Sequence, residues 1–194
     1  RSSFFPLLLD IESALRTRWA EFVVINFGDP FGYLNSDFFI SLTQHQKLLR
    51  HSSKSWLNSS DSEIQSFRNR YSSSQMPPIW HFVRALTFGE LSRWIRAMNV
   101  SQQKAFFASN NLPSYDSFRN SSLQALTLLR NSCAHGQRIW NVSFPIVVPR
   151  DIAIKHDPHK IASIISLVTL ISKALGINHQ VFLKRINETM MAIP

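Results

Sequence analysis

One cysteine, Cys133, is all the thiol that this chain of 194 residues contains. No disulfide can close within it, and a reducing compartment fits. Glycine is almost as scarce. Five Gly, with few tight-turn dipeptides, argue against a fold of many hairpin-linked strands. Acidic residues are outnumbered, 12 Asp and Glu against 21 Lys and Arg, so the formal charge is +9. That balance favours polyanion partners such as RNA, DNA or an anionic surface, although no long block of like charge occurs. A membrane-length apolar run is missing as well. The longest, "IASIISLVTLISKALGI", includes Lys173 and is short for a span, so it reads as a buried helix. The apolar start "FFPLLLDIESAL" is cut by Asp10 and Glu12 and does not read as a signal peptide. There is no Walker-type loop, no dinucleotide fingerprint and no G-x-S-x-G elbow. The expected location is the cytoplasm, with no membrane partner. Arg1 stands where an initiator Met would be, so the chain is expected to be a piece of a longer protein. Five N-x-S/T sequons, beginning at Asn58, Asn99, Asn120, Asn141 and Asn187, follow from a Ser- and Asn-rich composition.

What the chain has in quantity is bulk. Its 15 Phe and 5 Trp can fill a heavy core, and its length suits one good core better than two. Residues 1–194 therefore read as a single domain. In "LLLDIESALRTRWAEFVV" the residues Leu8, Ile11, Leu15, Trp19 and Phe22 recur at helical spacing. After a loop at "NFGDPFGYLNSD", "FFISLTQHQKLLRH" reads as a second helix and "SSKSWLNSSD" as a loop. Asp61 or Ser62 is placed to cap a helix through "SEIQSFRNRY". Pro77 and Pro78 suit the start of a helix through "IWHFVRAL", and Gly89 is expected to part it from "ELSRWIRAM". Further helices are expected at "VSQQKAFFASNN", at "SLQALTLLRNSCAH", over Ile161–Leu175 and at "NHQVFLKRINETMMA". The stretch "VSFPIVVPRDIAIKHDPH" is broken by prolines and holds room for a short strand at "IVV". The reading is all-α, a single helical bundle with an irregular segment, β at most over a few residues, late in the chain.

One of these helices carries chemistry. Turning "SLQALTLLRNSCAH" by about 100° per residue puts Leu123, Ala125, Leu126, Leu129 and Cys133 on one side, the core side. Arg130, Asn131 and His135 fall in an arc of about 140° on the other, with Leu128 at its edge. Cys133 therefore reads as a small core residue, not a nucleophile. Arg offers a planar fork for two phosphate oxygens, His titrates nearest neutrality, and Asn can orient the imidazole or donate to an oxyanion. Cleaving RNA through its own 2′-hydroxyl needs a base, an acid and a cation, and needs no metal. The plainer alternative is a helix C-terminus, with a basic residue near the dipole and Gly136 just past the end. A looser match at Arg150 and His156 lacks the Asn. "HDPH", with His156 and His159, reads as a solvated loop before a metal site. Arg138 and Asn141 are candidate RNA contacts past the helix end, while Trp140 is expected to fold back into the core.

The segment "LRNSCAHGQRIWN" resembles the hallmark of the Abi-like family of abortive-infection proteins, R-N-x-x-A-H followed by R-x-W-N. Arg130, Asn131, Ala134, His135, Arg138, Trp140 and Asn141 fill those places in order. "MPPIWHFVRALTFGELSRW" is similar to the family's P-x-W followed by F-G-x-L-S, except that Arg84 stands where the family usually carries Glu. "DIESALRTR" resembles its I-E-x-x-L-R helix, with Ile11, Glu12, Leu15 and Arg16. The resemblance covers most of residues 5–150 and implies a HEPN-like helical ribonuclease fold, lacking the segment that precedes the first helix in full-length members. It implies a metal-independent endoribonuclease without cofactors, leaving a cyclic 2′,3′-phosphate and arresting growth during phage infection. His135 would be the acid–base group, Arg130 the phosphate clamp and Asn131 the polar helper, at an interface between two such domains. With one full motif per chain, a homodimer with facing motif helices is the expected form, and an antitoxin RNA or protein is a conceivable further partner. The alternative reading is a non-catalytic HEPN-like module that binds RNA or a protein.

Overall fold

A computed structural model describes residues 2–71, 76–113, 121–145, 148–149, 152 and 156–191. Among these residues nine α-helices form and no strand does: α1 (Phe4–Asn26), α2 (Leu42–Leu57), α3 (Ser62–Tyr71), α4 (Ile79–Ala85), α5 (Phe88–Ala97), α6 (Val100–Ser109), α7 (Ser122–Ala134), α8 (Ile161–Ala174) and α9 (Gln180–Met191). The expected all-α class holds. The break expected over 72–75, the lead into α7 over 114–120, Ile146 and Val147 of the expected strand, and Arg150 lie outside the described residues. The contacts gather into two compact units, residues 1–14 with 107–194 and residues 15–106.

The unit of residues 15–106 is built around Trp94 of α5. Five rings stand about it, those of Trp19, Tyr33, Phe39, His45 and Phe82, with centroids 5.4 to 6.1 Å away. Its indole N–H donates to Ser52 Oγ at 2.9 Å, so the buried donor is satisfied. That contact explains a difference from the sequence reading. The Ser-rich tail expected as a loop remains helical through Leu57, because each serine finds a partner there. Ser53 Oγ donates to the carbonyl of Leu49, Ser55 Oγ donates to Glu90 Oε1, and Trp56 is buried. The break between α4 and α5 also lies elsewhere than expected. Gly89 sits inside α5, and the helix starts at a capping box: Thr87 Oγ1 accepts from the Glu90 N–H while Glu90 reaches back to the Thr87 N–H. Asp61 caps α3 as expected, accepting from the backbone N–H groups of Glu63 and Ile64. α2 packs on α4 and α5, and α3 packs on α4.

In the other unit α7 packs on α8. Leu123, Leu126 and Leu129 of α7 and Ile164, Leu167, Val168 and Ile171 of α8 are buried, the apolar stripes that the helical period predicts. Phe4 meets Phe182 of α9 edge to face at 4.9 Å. The segment between α7 and α8 is irregular. It is tied across itself where the N–H groups of Phe144 and Val148 donate to the carbonyls of His159 and Pro158.

Candidate functional site

α7 ends in a Schellman closure. The Gly136 N–H donates to the carbonyl of Cys133 at 3.3 Å and the Gln137 N–H to that of Ser132 at 2.8 Å. Gly136 has φ +68°, a left-handed turn that a side chain resists, which is why the helix stops there. His135 is therefore the helix C-cap, exposed to solvent, its N–H donating to the carbonyl of Asn131. The plain reading of this histidine as a helix end and the functional one are compatible. The cap fixes the backbone and leaves the ring outside.

Arg130 lies one and a half turns earlier on the same exposed arc, with about 7.5 Å of helix rise between it and His135. Its guanidinium is gripped from one edge. Nε donates to Glu12 Oε2 of α1 at 3.0 Å, and the Glu12 side chain is 2% exposed while that of Arg130 is 29% exposed. Nη1 donates to Asn131 Oδ1 at the long distance of 3.4 Å. The remaining guanidinium N–H groups meet no partner among the described residues. A fork pinned by a buried carboxylate, with its outer edge open to water, can receive the oxygens of an anion without first reorganising. Asn131 turns its oxygen to Arg130, not to His135, which leaves the Asn131 amide N–H donors on the exposed side. No hydrogen bond to the His135 ring occurs among the described residues.

Past the cap, Ile139 is buried and anchors the strand of chain that follows. Trp140 is 45% exposed, so the expectation that it folds into the core is corrected: the burial passes to Ile139, its neighbour. Arg138 is exposed, and its Nε donates to the carbonyl of Trp140 at 2.9 Å. Asn141 is exposed at φ +50°, a conformation that asparagine tolerates better than most residues. Cys133 is half-buried, less enclosed than the helical wheel suggests, and Ser132 takes the buried place beside it with its Oγ 3.0 Å from Gln137 Oε1.

Glu12 is the residue that the chemistry-by-motif reading missed. Its signal was on the helical wheel, where it stands four residues after Leu8, three before Leu15 and seven before Trp19, inside an apolar stripe. A carboxylate at such a position needs a cation or several donors. Arg84 bridges Asp61 at 3.0 Å and Glu63 at 2.9 Å, tying α4 to the start of α3. His159 is held within its own loop, with Nδ1 2.9 Å from the carbonyl of Phe144 and its N–H donating to Asp157. Among the described residues no group of three or more His, Cys, Asp or Glu stands together as a metal site, and no helix is long and apolar enough to cross a membrane.

No curated protein and no solved structure matches this chain. A family model does, that of the Abi-like protein family, over residues 1–141. The matched span holds both Glu12 and the whole Arg130-to-His135 segment, that is, both halves of the ion pair that defines the site. This chain belongs to the Abi-like protein family, whose name ties it to abortive infection.

Proposed function

We propose that this protein is a metal-independent endoribonuclease of HEPN type, acting as a growth-arresting effector in abortive infection. The observation that carries the reading is the Glu12–Arg130 pair, a guanidinium preorganised at a solvent-facing helix end five residues before an exposed histidine. Arg130 would hold the non-bridging oxygens of the scissile phosphate, with the amide N–H of Asn131 beside it. The neutral His135 ring takes the proton of the RNA 2′-hydroxyl, and the 2′-oxygen forms a bond to phosphorus. The bond from phosphorus to the 5′-oxygen breaks, and that oxygen takes a proton from a histidinium on the opposite side. The products are a cyclic 2′,3′-phosphate and a free 5′-hydroxyl. One ring cannot serve both sides of the phosphorus in one step, so the second histidine is the His135 of another copy, in a homodimer whose α7 helices face each other. Arg138 and Asn141 extend the contact to neighbouring nucleotides. The positive charge that the transition state needs comes from Arg130, so the reaction requires no metal or cofactor.

A second reading has its own observation. Asn131 is turned to Arg130, and nothing among the described residues orients the His135 ring, as a non-catalytic module that only holds RNA or a protein would allow. Purified protein incubated with mixed RNA in EDTA separates the two. Cleavage with cyclic 2′,3′ ends, reduced about a hundredfold or more in His135→Ala, is the expected result. Equal cleavage by both proteins refutes the assignment. Salt-sensitive RNA binding without product at any protein concentration would establish the module instead.

A further inference from the structure

The unit of residues 15–106 carries an open groove of about 690 Å3. One face of α3 lines it, where Ser66, Phe67, Arg70 and Tyr71 recur at i, i+3 and i+4 spacing. Trp80 and His81, at the start of α4, line it as well, with Phe31 from the loop after α1. The Phe67 ring lies 4.7 Å from that of Tyr71 and 4.3 Å from that of His81. Tyr71, Trp80 and Phe31 are 59%, 50% and 42% exposed. Large rings left wet and gathered in one concavity mark a binding site in a way that scattered exposed rings do not.

The polar groups narrow the ligand. Arg70 is exposed and has no hydrogen-bond or ion-pair partner among the described residues. Glu63, at the groove's edge, is held by Arg84 at 2.9 Å, which it shares with Asp61, so Arg70 is the cation of the lining that stands open to an anion. His81 Nδ1 is buried without a partner among the described residues. Burial first, and the nearby charge of Arg84 second, hold the His81 pKa below its ordinary value, which favours a neutral ring in the groove wall. An acyl chain would find mostly ring faces here, with Met76 and Pro78 as the aliphatic surface. A flat ring attached to an anion matches both halves of the lining.

We infer that this groove binds single-stranded RNA, stacking a base among Phe67, Tyr71 and Trp80 while Arg70 pairs with the adjoining phosphate. An open groove lets the chain of nucleotides continue on either side, and the net charge of +9 draws a polyanion to it. The inference shares RNA with the proposed function but requires no cleavage.

Calorimetric titration of octaadenylate into the His135→Ala protein, which removes turnover, tests the groove, with AMP and n-octyl phosphate as the comparison ligands. In that background Trp80→Ala is expected to weaken octaadenylate binding about tenfold. Arg70→Ala is expected to weaken it and to lower the salt slope by about 0.7, the loss of one single-strand phosphate contact. Both side chains are exposed, and circular dichroism confirms that each variant is folded. Octaadenylate binding unchanged by both substitutions overturns the inference. AMP binding as tightly as the octamer overturns it in favour of a free nucleotide, and n-octyl phosphate binding more tightly than AMP overturns it in favour of an acyl ligand. Cleavage by the unsubstituted protein is read separately, so failure of the groove and failure of the Arg130 site are distinguishable.

Discussion

Breaking the Glu12–Arg130 pair from each side in turn gives the sharpest test of how the site is held. Two unit charges 3.0 Å apart attract by about 5 kcal/mol at an effective dielectric of about 20. Desolvating a carboxylate that is 2% exposed takes back much of that. A net coupling of about 1–3 kcal/mol remains, in the range found for contacting residues. The two single substitutions should differ. Arg130→Gln removes a cation from the deeply buried partner and should cost about 3 kcal/mol, the lower end for a broken buried pair. Glu12→Gln should cost about 1–2 kcal/mol, because Arg130, 29% exposed, can turn its freed N–H to water. The double variant should then lose about 1–3 kcal/mol less than the sum of the singles. Urea unfolding followed by circular dichroism measures all four corners of the cycle. A coupling below about 0.5 kcal/mol would refute the claim that this pair fixes the guanidinium. Catalysis gives the second readout. Glu12→Gln leaves Arg130 in place but lets it wander, so kcat/KM for RNA cleavage should fall about a hundredfold with the fold retained. An unchanged kcat/KM beside a large coupling would make Glu12 a structural residue alone.

Two further outcomes follow from the geometry. The backbone N–H of Ile64 above all, and the Arg84 guanidinium after it, hold the Asp61 carboxyl below the ordinary aspartate range. Its contribution is therefore present above that range and lost as the pH falls from there through the lowered folded value, so Asp61→Asn, which keeps the cap acceptor, should flatten the acid limb of the stability curve, while Asp61→Ala should cost about 1 kcal/mol at neutral pH. Sedimentation at micromolar concentration should show a dimer that tightens when RNA or phosphate lies between the two Arg130 side chains, and a strict monomer with full His135-dependent cleavage rules the facing-helix arrangement out.

The fold was legible where burial follows period. The stripes of α1, α7 and α8 were visible because each buries one face, and a face repeats every three to four residues. The tail of α2 was not, since Ser52 and Ser55 look like loop formers until Trp94 and Glu90 supply their partners. Those partners are 42 and 35 residues away in sequence, and no local rule reaches them. The start of α5 was a different kind of miss. Thr87 and Glu90 spell a capping box, a local signal, but Gly89 between them drew the boundary to itself. Trp140 shows the limit of size as a guide to burial. Neighbouring residues past a helix end alternate between inside and outside, and nothing in "RIWN" says which of Ile139 and Trp140 goes in.

At the site, the sequence showed which groups gather on the outside of α7 but not what holds them. A motif names side chains on one helix, whereas orientation comes from another element. Arg130 and Glu12 are 118 residues apart, and the pair exists because α1 carries an acid in its apolar stripe. Arg84, four residues after Trp80, is bound instead to Asp61 and Glu63. The general point is physical: a buried charge on one helix implies an opposite charge near it, so an acid at a core position and a cation at a functional one are evidence for each other. Read in that way, "DIESALRTR" and "RNSCAH" are two halves of one ion-paired cluster, in which the buried carboxylate of the first holds the guanidinium of the second.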